Sequence, residues 1–256
     1  MTALFSQVIF GPVRSRRLGL SLGVNLLPTH SKLCNFDCIY CECGWNEERR
    51  GSGKFNSKEE VTSALEAKLR EMALAGELPD VITFAGNGEP TLHPDFEEII
   101  ASTIALRDAL APSAKVSVLS NATRIGLESV RRALKRVDHN ILKLDAATTA
   151  MAKTINHPQG AYSMEQVVEN MISFEGDLIV QSMFLRGECE GDIIDNTTVE
   201  AVEGWLALIK KIAPKSVMVY SIDRDTPCQT LEKVQREELL TIAEKVRALG
   251  IECSVA

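Results

Sequence analysis

The sequence predicts an α/β fold built on a parallel sheet, and three observations carry that reading. Short apolar runs alternate with helix-periodic stretches six times along the chain. The apolar runs are near-continuous, as expected when a parallel sheet is covered by helices. Polar residues and glycines follow each run at once, at the C-terminal strand ends where parallel α/β folds collect their chemistry. The 256 residues are 45% hydrophobic and 25% charged, enough for a sizeable core. One domain over residues 1–256 is therefore expected, with 1–20 as an N-terminal extension and 34–41 as a loop. Right-handed crossovers fit both a curled barrel and an open doubly wound sheet. Composition and periodicity do not separate the two.

In chain order, residues 1–20 show no periodicity, and Gly11-Pro12 marks a turn. Residues 21–27 read as the first strand, stopped by Pro28, with a cysteine-bearing loop directly after it. Residues 44–53 continue that loop as a polar, Gly-rich stretch. Ser57-Lys58-Glu59-Glu60 is a capping box that opens a helix burying Val61, Leu65, Leu69 and Met72, with Gly76 as its stop. Residues 81–85 form a second strand that runs into Gly86-Asn87-Gly88-Glu89-Pro90. Asp95 caps a helix to about residue 110, closed by Pro112. Residues 115–120 are the third strand, Asn121 follows, and a helix is expected near 126–136. Residues 140–145 are the fourth strand. A second capping box, Ser163-Met164-Glu165-Gln166, starts a helix burying Val167, Met171 and Phe174. Residues 177–185 are the fifth strand and 186–195 a loop. A helix over 198–212 ends before Pro214, and residues 216–222 are the sixth strand. The last helix, 236–249, stops at Gly250, and 251–255 adds a short seventh strand.

Composition excludes several classes. No apolar run reaches the ~18 residues of a membrane helix. The N-terminus lacks a signal peptide's order of basic, apolar and small-residue regions, so a cytoplasmic setting is expected. Seven cysteines, an odd number with three of them clustered, do not make a disulfide framework. A net charge of −7 argues against a generic nucleic-acid binder. Residues 1–54 nevertheless carry a net +3, densest at Arg14, Arg16 and Arg17. That basic end is either a solvated turn or an anion or substrate contact.

The most specific feature is Cys34-Asn35-Phe36-Asp37-Cys38-Ile39-Tyr40-Cys41. Cysteine thiolates bind soft metals and hold iron–sulfur clusters. Three ligands on one tight loop can cap three irons of a cubane, leaving the fourth open to an outside ligand. A zinc loop is the competing reading. Cys43 is badly placed for the remaining corner and reads as a free thiol, and Cys189, Cys228 and Cys253 read as isolated thiols.

The other strand ends test that reading. In Gly86-Asn87-Gly88-Glu89 the glycines leave backbone groups approachable, and Glu89 adds an acceptor for an ammonium group. An ordinary βα turn is the bland alternative. Ser120 and Asn121 close the third strand, with a plain helix-entry turn as the alternative. Lys143 and Asp145 alternate with Leu142 and Leu144, so they face one side and must pair or serve a ligand. The fifth end offers Gln181 and Arg186-Gly187, and the sixth Tyr220, Ser221, Asp223 and Arg224. Of the histidines, His93 reads as a turn residue, His157 as a loop residue, and His30 is unneeded as a ligand beside three cysteines.

CNFDCIYC has the form CxxxCxΦC, which resembles the cluster loop of the radical S-adenosylmethionine (SAM) superfamily. The resemblance implies a [4Fe-4S] cluster on Cys34, Cys38 and Cys41, with SAM bound at the open iron. GNGEP resembles that family's GGE(P) motif, which implies that Gly86, Asn87, Gly88 and Glu89 hold the amino group of the methionine part. It also implies that Ser120 and Asn121 meet the ribose or carboxylate and that Tyr40 lies near the adenine. Lys143, Asp145, Gln181 and Tyr220 are further cofactor-binding candidates at their strand ends.

The blocks FGPVRSRRLGLSLGVNLLP, ITFAGNGEPTLHPDF, ILKLDAA, INHP, FLRG, DNT and YSIDRDTP resemble a group of radical SAM proteins related to the tRNA wyosine synthases. This implies a partial (β/α)6 barrel of TIM type. It also implies an oxygen-poor setting and an external one-electron donor, flavodoxin- or ferredoxin-like. The expected reaction is reductive cleavage of SAM to a 5′-deoxyadenosyl radical that abstracts hydrogen from an unidentified substrate. Unlike the wyosine synthases, the chain has no cysteine before Cys34 for a second cluster. A wyosine-type reaction on tRNA and a zinc-stabilised binding module stand as the alternatives.

Overall fold

The computed structural model describes residues 4–15, 19–48, 51 and 53–256. Arg16 and Arg17 therefore lie outside the described residues. Strands β1 (Ile9–Ser15) and β2 (Gly19–Val24) pair antiparallel. The main sheet continues through β3 (Val81–Phe84), β4 (Lys115–Ser120), β5 (His139–Lys143) and β6 (Ile179–Met183). Strands β7 (Leu185–Cys189) and β8 (Asp192–Asp195) leave it, β9 (Ser216–Tyr220) rejoins it, β10 (Leu231–Lys233) leaves again, and β11 (Glu252–Val255) is the last strand. The main sheet has eight strands in the order β1-β2-β3-β4-β5-β6-β9-β11, and every pair after β1–β2 is parallel. Strand order follows chain order without the reversal that marks a doubly wound sheet. The fold is a partial TIM-type barrel, open between β1 and β11, with seven parallel strands.

The cross-strand register separates two faces. Leu22, Val24, Ile82, Phe84, Val116, Val118, Leu142, Val180, Val217 and Val219 point outward into one apolar core with the helices. The opposite, inner face carries Ser21, Thr83, Ser117, Lys143, Gln181 and Tyr220. Ser21 and Thr83 hydrogen-bond there at 2.8 Å. The outer face is thus mainly apolar, and the inner one is mixed, these polar residues sharing it with Leu119, Ile141, Ile179 and Met218.

Helix α1 (Lys58–Ala75) begins where expected, with the Ser57 hydroxyl accepting from the Glu60 N–H at 3.2 Å. It buries Val61, Leu65, Leu69 and Met72, each contributing roughly 1.5–3 kcal/mol. Gly76 ends it in the left-handed conformation at φ 72°. In helix α2 (Phe96–Leu110) Asp95 occupies the cap position but its side chain makes no capping bond. Helix α3 is Glu128–Leu134. Helix α4 (Thr149–Asn156) has no counterpart in the sequence reading; Thr148 caps it through the Met151 N–H, and His157 closes it at φ 40°. Helix α5 (Met164–Ile172) is capped by Ser163 as expected. Helices α6 (Val199–Ile212) and α7 (Arg236–Arg247) complete the outer layer.

The stretch expected as loop 186–195 forms a second sheet, ordered β10-β7-β8. Glu190 and Gly191, both at positive φ, join β7 to β8, the conformation a tight two-residue hairpin requires. Among the described residues no helix is long and apolar enough to cross a membrane.

Candidate active site

The cysteine loop leaves β2 and crosses the C-terminal end of the sheet, held from both sides. Toward β3, the Leu33 N–H donates to the Asn87 carbonyl at 2.8 Å and the Glu89 N–H to the Leu33 carbonyl at 3.1 Å. Toward α4, the Asp37 N–H donates to Asn156 O at 2.9 Å and the Ile39 N–H to Ile155 O at 3.0 Å. The Cys228 N–H donates to Ile39 O at 3.2 Å. Cys34, Cys38 and Cys41 are thereby presented on a fixed frame.

Two of the three sulfurs have N–H donors, and a buried cation acts on the third. The Phe36 N–H and the Asn121 amide point at Cys34 Sγ, at 3.4 and 3.8 Å. The Asn156 amide points at Cys38 Sγ at 3.4 Å. The Lys32 ammonium reaches Cys41. Donors aimed at sulfur stabilise thiolates and tune a cluster. Burial pushes Cys34 well up and Cys38 up to about 11, whereas the Cys43 thiol and Lys32 bring Cys41 down to about 6. Cys43 itself is held far above its usual range by that same contact with Cys41. Among the described residues no three His, Cys, Asp or Glu side chains converge on a point as the ligands of one ion would.

Behind the loop lie two buried carboxylates, each saturated by its own network. Glu89 Oε1 accepts from the Thr91 N–H (3.1 Å), the Thr91 hydroxyl (2.5 Å) and the Ser120 hydroxyl (2.8 Å), and Oε2 accepts from the Asn121 N–H at 2.7 Å. Burial raises its pKa, and these donors pull it part of the way back. The carboxylate thus joins the ends of strands β3 and β4. Ser120 is spent between Glu89 and the Ala122 N–H, and Asn121 donates to Asn35 Oδ1 at 2.8 Å.

Asp145 is the second. Its Oδ2 accepts from the Tyr40 hydroxyl and from the Asn156 amide at 2.9 Å, and its Oδ1 from the Met183 N–H at 2.8 Å. Lys143 donates to the Tyr40 hydroxyl at 2.6 Å and lies 3.5 Å from Asp145. Burial alone would lower the Lys143 pKa, but Asp145, Tyr220 and Cys38 together raise it, so the ammonium stays charged. Tyr40, Lys143 and Asp145 thus form one unit that ties the loop to β5.

Asn87 lies beside the same loop. It is fully buried and turned away from the lumen, accepting from the Phe5 N–H at 2.8 Å and donating to Phe5 O at 2.9 Å and Pro28 O at 2.8 Å. Its side chain anchors the segment around Phe5. A Cβ on Gly86 would overlap the Asn25 amide, and one on Gly88 the Leu33 carbonyl oxygen. The two glycines permit close packing of the loop as well as an exposed backbone.

Gln181 and Tyr220 lie on the inner face, and the Gln181 amide bonds no described side chain. Arg186 turns to Thr197 and Glu238, away from the loop. Arg14 is exposed on β1. Arg224 pairs with Glu42 at 2.6 Å, bringing the sixth parallel strand's end against the loop. Buried His93 is a structural turn residue: Nε2 bonds Asn56 O at 2.8 Å, and Nδ1 accepts from the Asp95 N–H at 3.0 Å. His157 stacks on Trp45 with ring centroids 5.9 Å apart. Cys189 and Cys228 are not isolated. Their thiols interact, and burial with the Cys228 contact pushes Cys189 up to about 12, which leaves it unreactive. Sequence reading missed Lys32 and Asn156; a cation two residues before Cys34 was a usable signal, whereas nothing local marks Asn156.

A sequence profile of the radical SAM superfamily matches residues 29–197. A UPF0026 protein of Helicobacter pylori is 30% identical over 237 residues, 91% of this chain and 71% of that one. The chain belongs to the radical SAM superfamily and to the UPF0026 proteins. The cofactors of that superfamily are a [4Fe-4S] cluster and SAM. A UPF0026 protein of Methanocaldococcus jannaschii is 33% identical over 186 residues, 70% of this chain but 54% of that protein. A GTPase Obg of Brachyspira hyodysenteriae is 29% identical over 241 residues, 92% of this chain and 33% of that protein. The chain thus spans a third to a half of the length of these two relatives. A radical SAM methyltransferase from Sphaerobacter thermophilus superposes with a TM-score of 0.68 at 14% identity, over 92% of this chain and 65% of that one. Archaeal TYW1 superposes with 0.56 at 14% identity, over 89% and 71%. Both share the fold of this chain.

Proposed function

We propose that Cys34, Cys38 and Cys41 hold three irons of the cluster, and that the lumen beneath them receives SAM and a hydrogen-donating substrate. When bound, cluster and SAM supply a reductively generated 5′-deoxyadenosyl radical. The observation that carries this is the set of N–H donors aimed at Cys34 and Cys38, with the buried Lys32 ammonium bonded to Gly44 just after Cys41. The chain's residues hold and orient. The main chain at Gly86 and Gly88, with Tyr40 and the inner-face residues Lys143, Gln181 and Tyr220, lines the cofactor. Glu89, Ser120, Asn121 and Asp145 fasten the loop that presents the sulfurs. Residues 1–256 act as one domain in a cytoplasmic, oxygen-poor setting, served by a flavodoxin- or ferredoxin-like donor.

Anaerobic reconstitution should give about four irons per chain and SAM cleavage on reduction. A Cys38→Ala protein that still cleaved SAM would overturn the assignment. A wyosine-type reaction on tRNA is a second reading, favoured by the net +3 of residues 1–54. It predicts tRNA binding that weakens with salt, and no binding at low salt discards it.

A further inference from the structure

We propose that Lys32 sets the reduction potential of the cluster site, acting as a buried cation on the Cys41 side of the loop. This rests on Cys34, Cys38 and Cys41 being the cluster ligands. The Lys32 side chain is 1% exposed, and lysine is almost never buried unless its charge is answered. Its ammonium donates to the Gly44 carbonyl at 2.6 Å and to Asp37 Oδ1 at 3.1 Å. Both partners belong to the cysteine loop and its continuation, so Lys32 clips the loop's two ends together. The Gly44 N–H in turn donates to the Cys41 carbonyl at 2.9 Å, which sets the ammonium beside the Cys41 turn.

Asp37 answers the charge only in part. Its Oδ1 also accepts from the Asn46 N–H at 2.8 Å, and its side chain is 16% exposed where that of Lys32 is sealed. Solvent therefore screens the anion more than the cation.

A clip alone would need only hydrogen-bond donors. A full charge buried beside the Cys41 turn does more. Three thiolates on a cluster core make an anionic unit, and an added electron makes it more anionic. A cation held nearby in a low-dielectric setting favours the reduced state. Lys32 should thus raise the potential and ease reduction by the external donor, while Asp37 pulls the other way.

The test is an EPR-monitored redox titration of the reconstituted full chain, with iron content measured alongside. Lys32→Met should move the midpoint to more negative values, and Lys32→Arg should stay near the wild type. Asp37→Asn, which keeps the acceptor oxygen and loses the charge, should move it positive. Opposite shifts at about four irons per chain are the expected result, and a purely structural clip would not produce them. Midpoints that stay at the wild-type value, or that move in the same direction, overturn the proposal. If Lys32→Met fails to load, Asp37→Asn decides alone, and an unchanged or lowered midpoint overturns it. Failure of the underlying ligand assignment would look different: the Cys38→Ala chain would keep its full iron content.

Discussion

The main chains of Leu33 and Gly88 lie so close that a Cβ on Gly88 would overlap the Leu33 carbonyl oxygen. Gly88 also sits at φ +138°, where a side chain is strained by about 1–3 kcal/mol. Gly88→Ala should therefore lift the cysteine loop off β3. We expect a melting temperature lower by at least about 2 °C and poor iron retention after reconstitution. A normally loaded, normally stable Gly88→Ala protein would show that the bridge does not hold the loop.

Asp145 joins residues 40, 143, 156 and 183 at one buried carboxylate. Removing it strands the Lys143 charge. Asp145→Ala should cost about 3–5 kcal/mol in urea unfolding of the cluster-free chain. Tyr40→Phe removes one donor and should cost less, about 1–3 kcal/mol. The reverse order would mean that the tyrosine, not the carboxylate, is the centre of the network.

Glu89 separates a ligand role from a structural one. If its carboxylate serves the loop, Glu89→Gln places an amide against the donors of Thr91, Ser120 and Asn121 and should cost about 1–3 kcal/mol without any ligand present. If it serves SAM instead, the cluster-free chain should unfold like the wild type and only SAM affinity should fall. The four donors already on the carboxylate favour the first outcome.

Acid should act through Asp138. Partial burial alone would raise its pKa, but the Val116 N–H at 2.9 Å, Arg107 at 2.9 Å and Lys115 at 3.3 Å together lower it. A depressed folded-state pKa stabilises above the unfolded value of about 4. That stability is lost as pH falls through the folded value. Asp138→Asn should thus be less stable than the wild type at neutral pH, with the gap closing below about pH 4. A gap that stays constant with pH would assign the effect to packing.

Much of the fold was legible. The seven parallel strands lie within a few residues of their expected places, because each is a compact apolar run. Ser57 and Ser163 cap the helices they were expected to cap, because capping is a local contact three residues long. Strand β1, helix α4 and the β10-β7-β8 sheet were not legible. Their residues are mixed and short, and pairing across the chain stabilises them more than local preference does.

By itself the sequence determined the alternation of strands and helices, the three thiols at their spacing, and which polar residues stand at the strand ends. All of these are set by residue type and separation along the chain. Only the tertiary structure decided what those polar residues do. Asn87, Glu89 and Asp145 stand where a ligand would be expected, yet their hydrogen-bonding capacity is taken by residues 5, 28, 121, 40 and 183. A buried polar group binds whatever donor packing brings nearest, and packing distances are not written in local spacing.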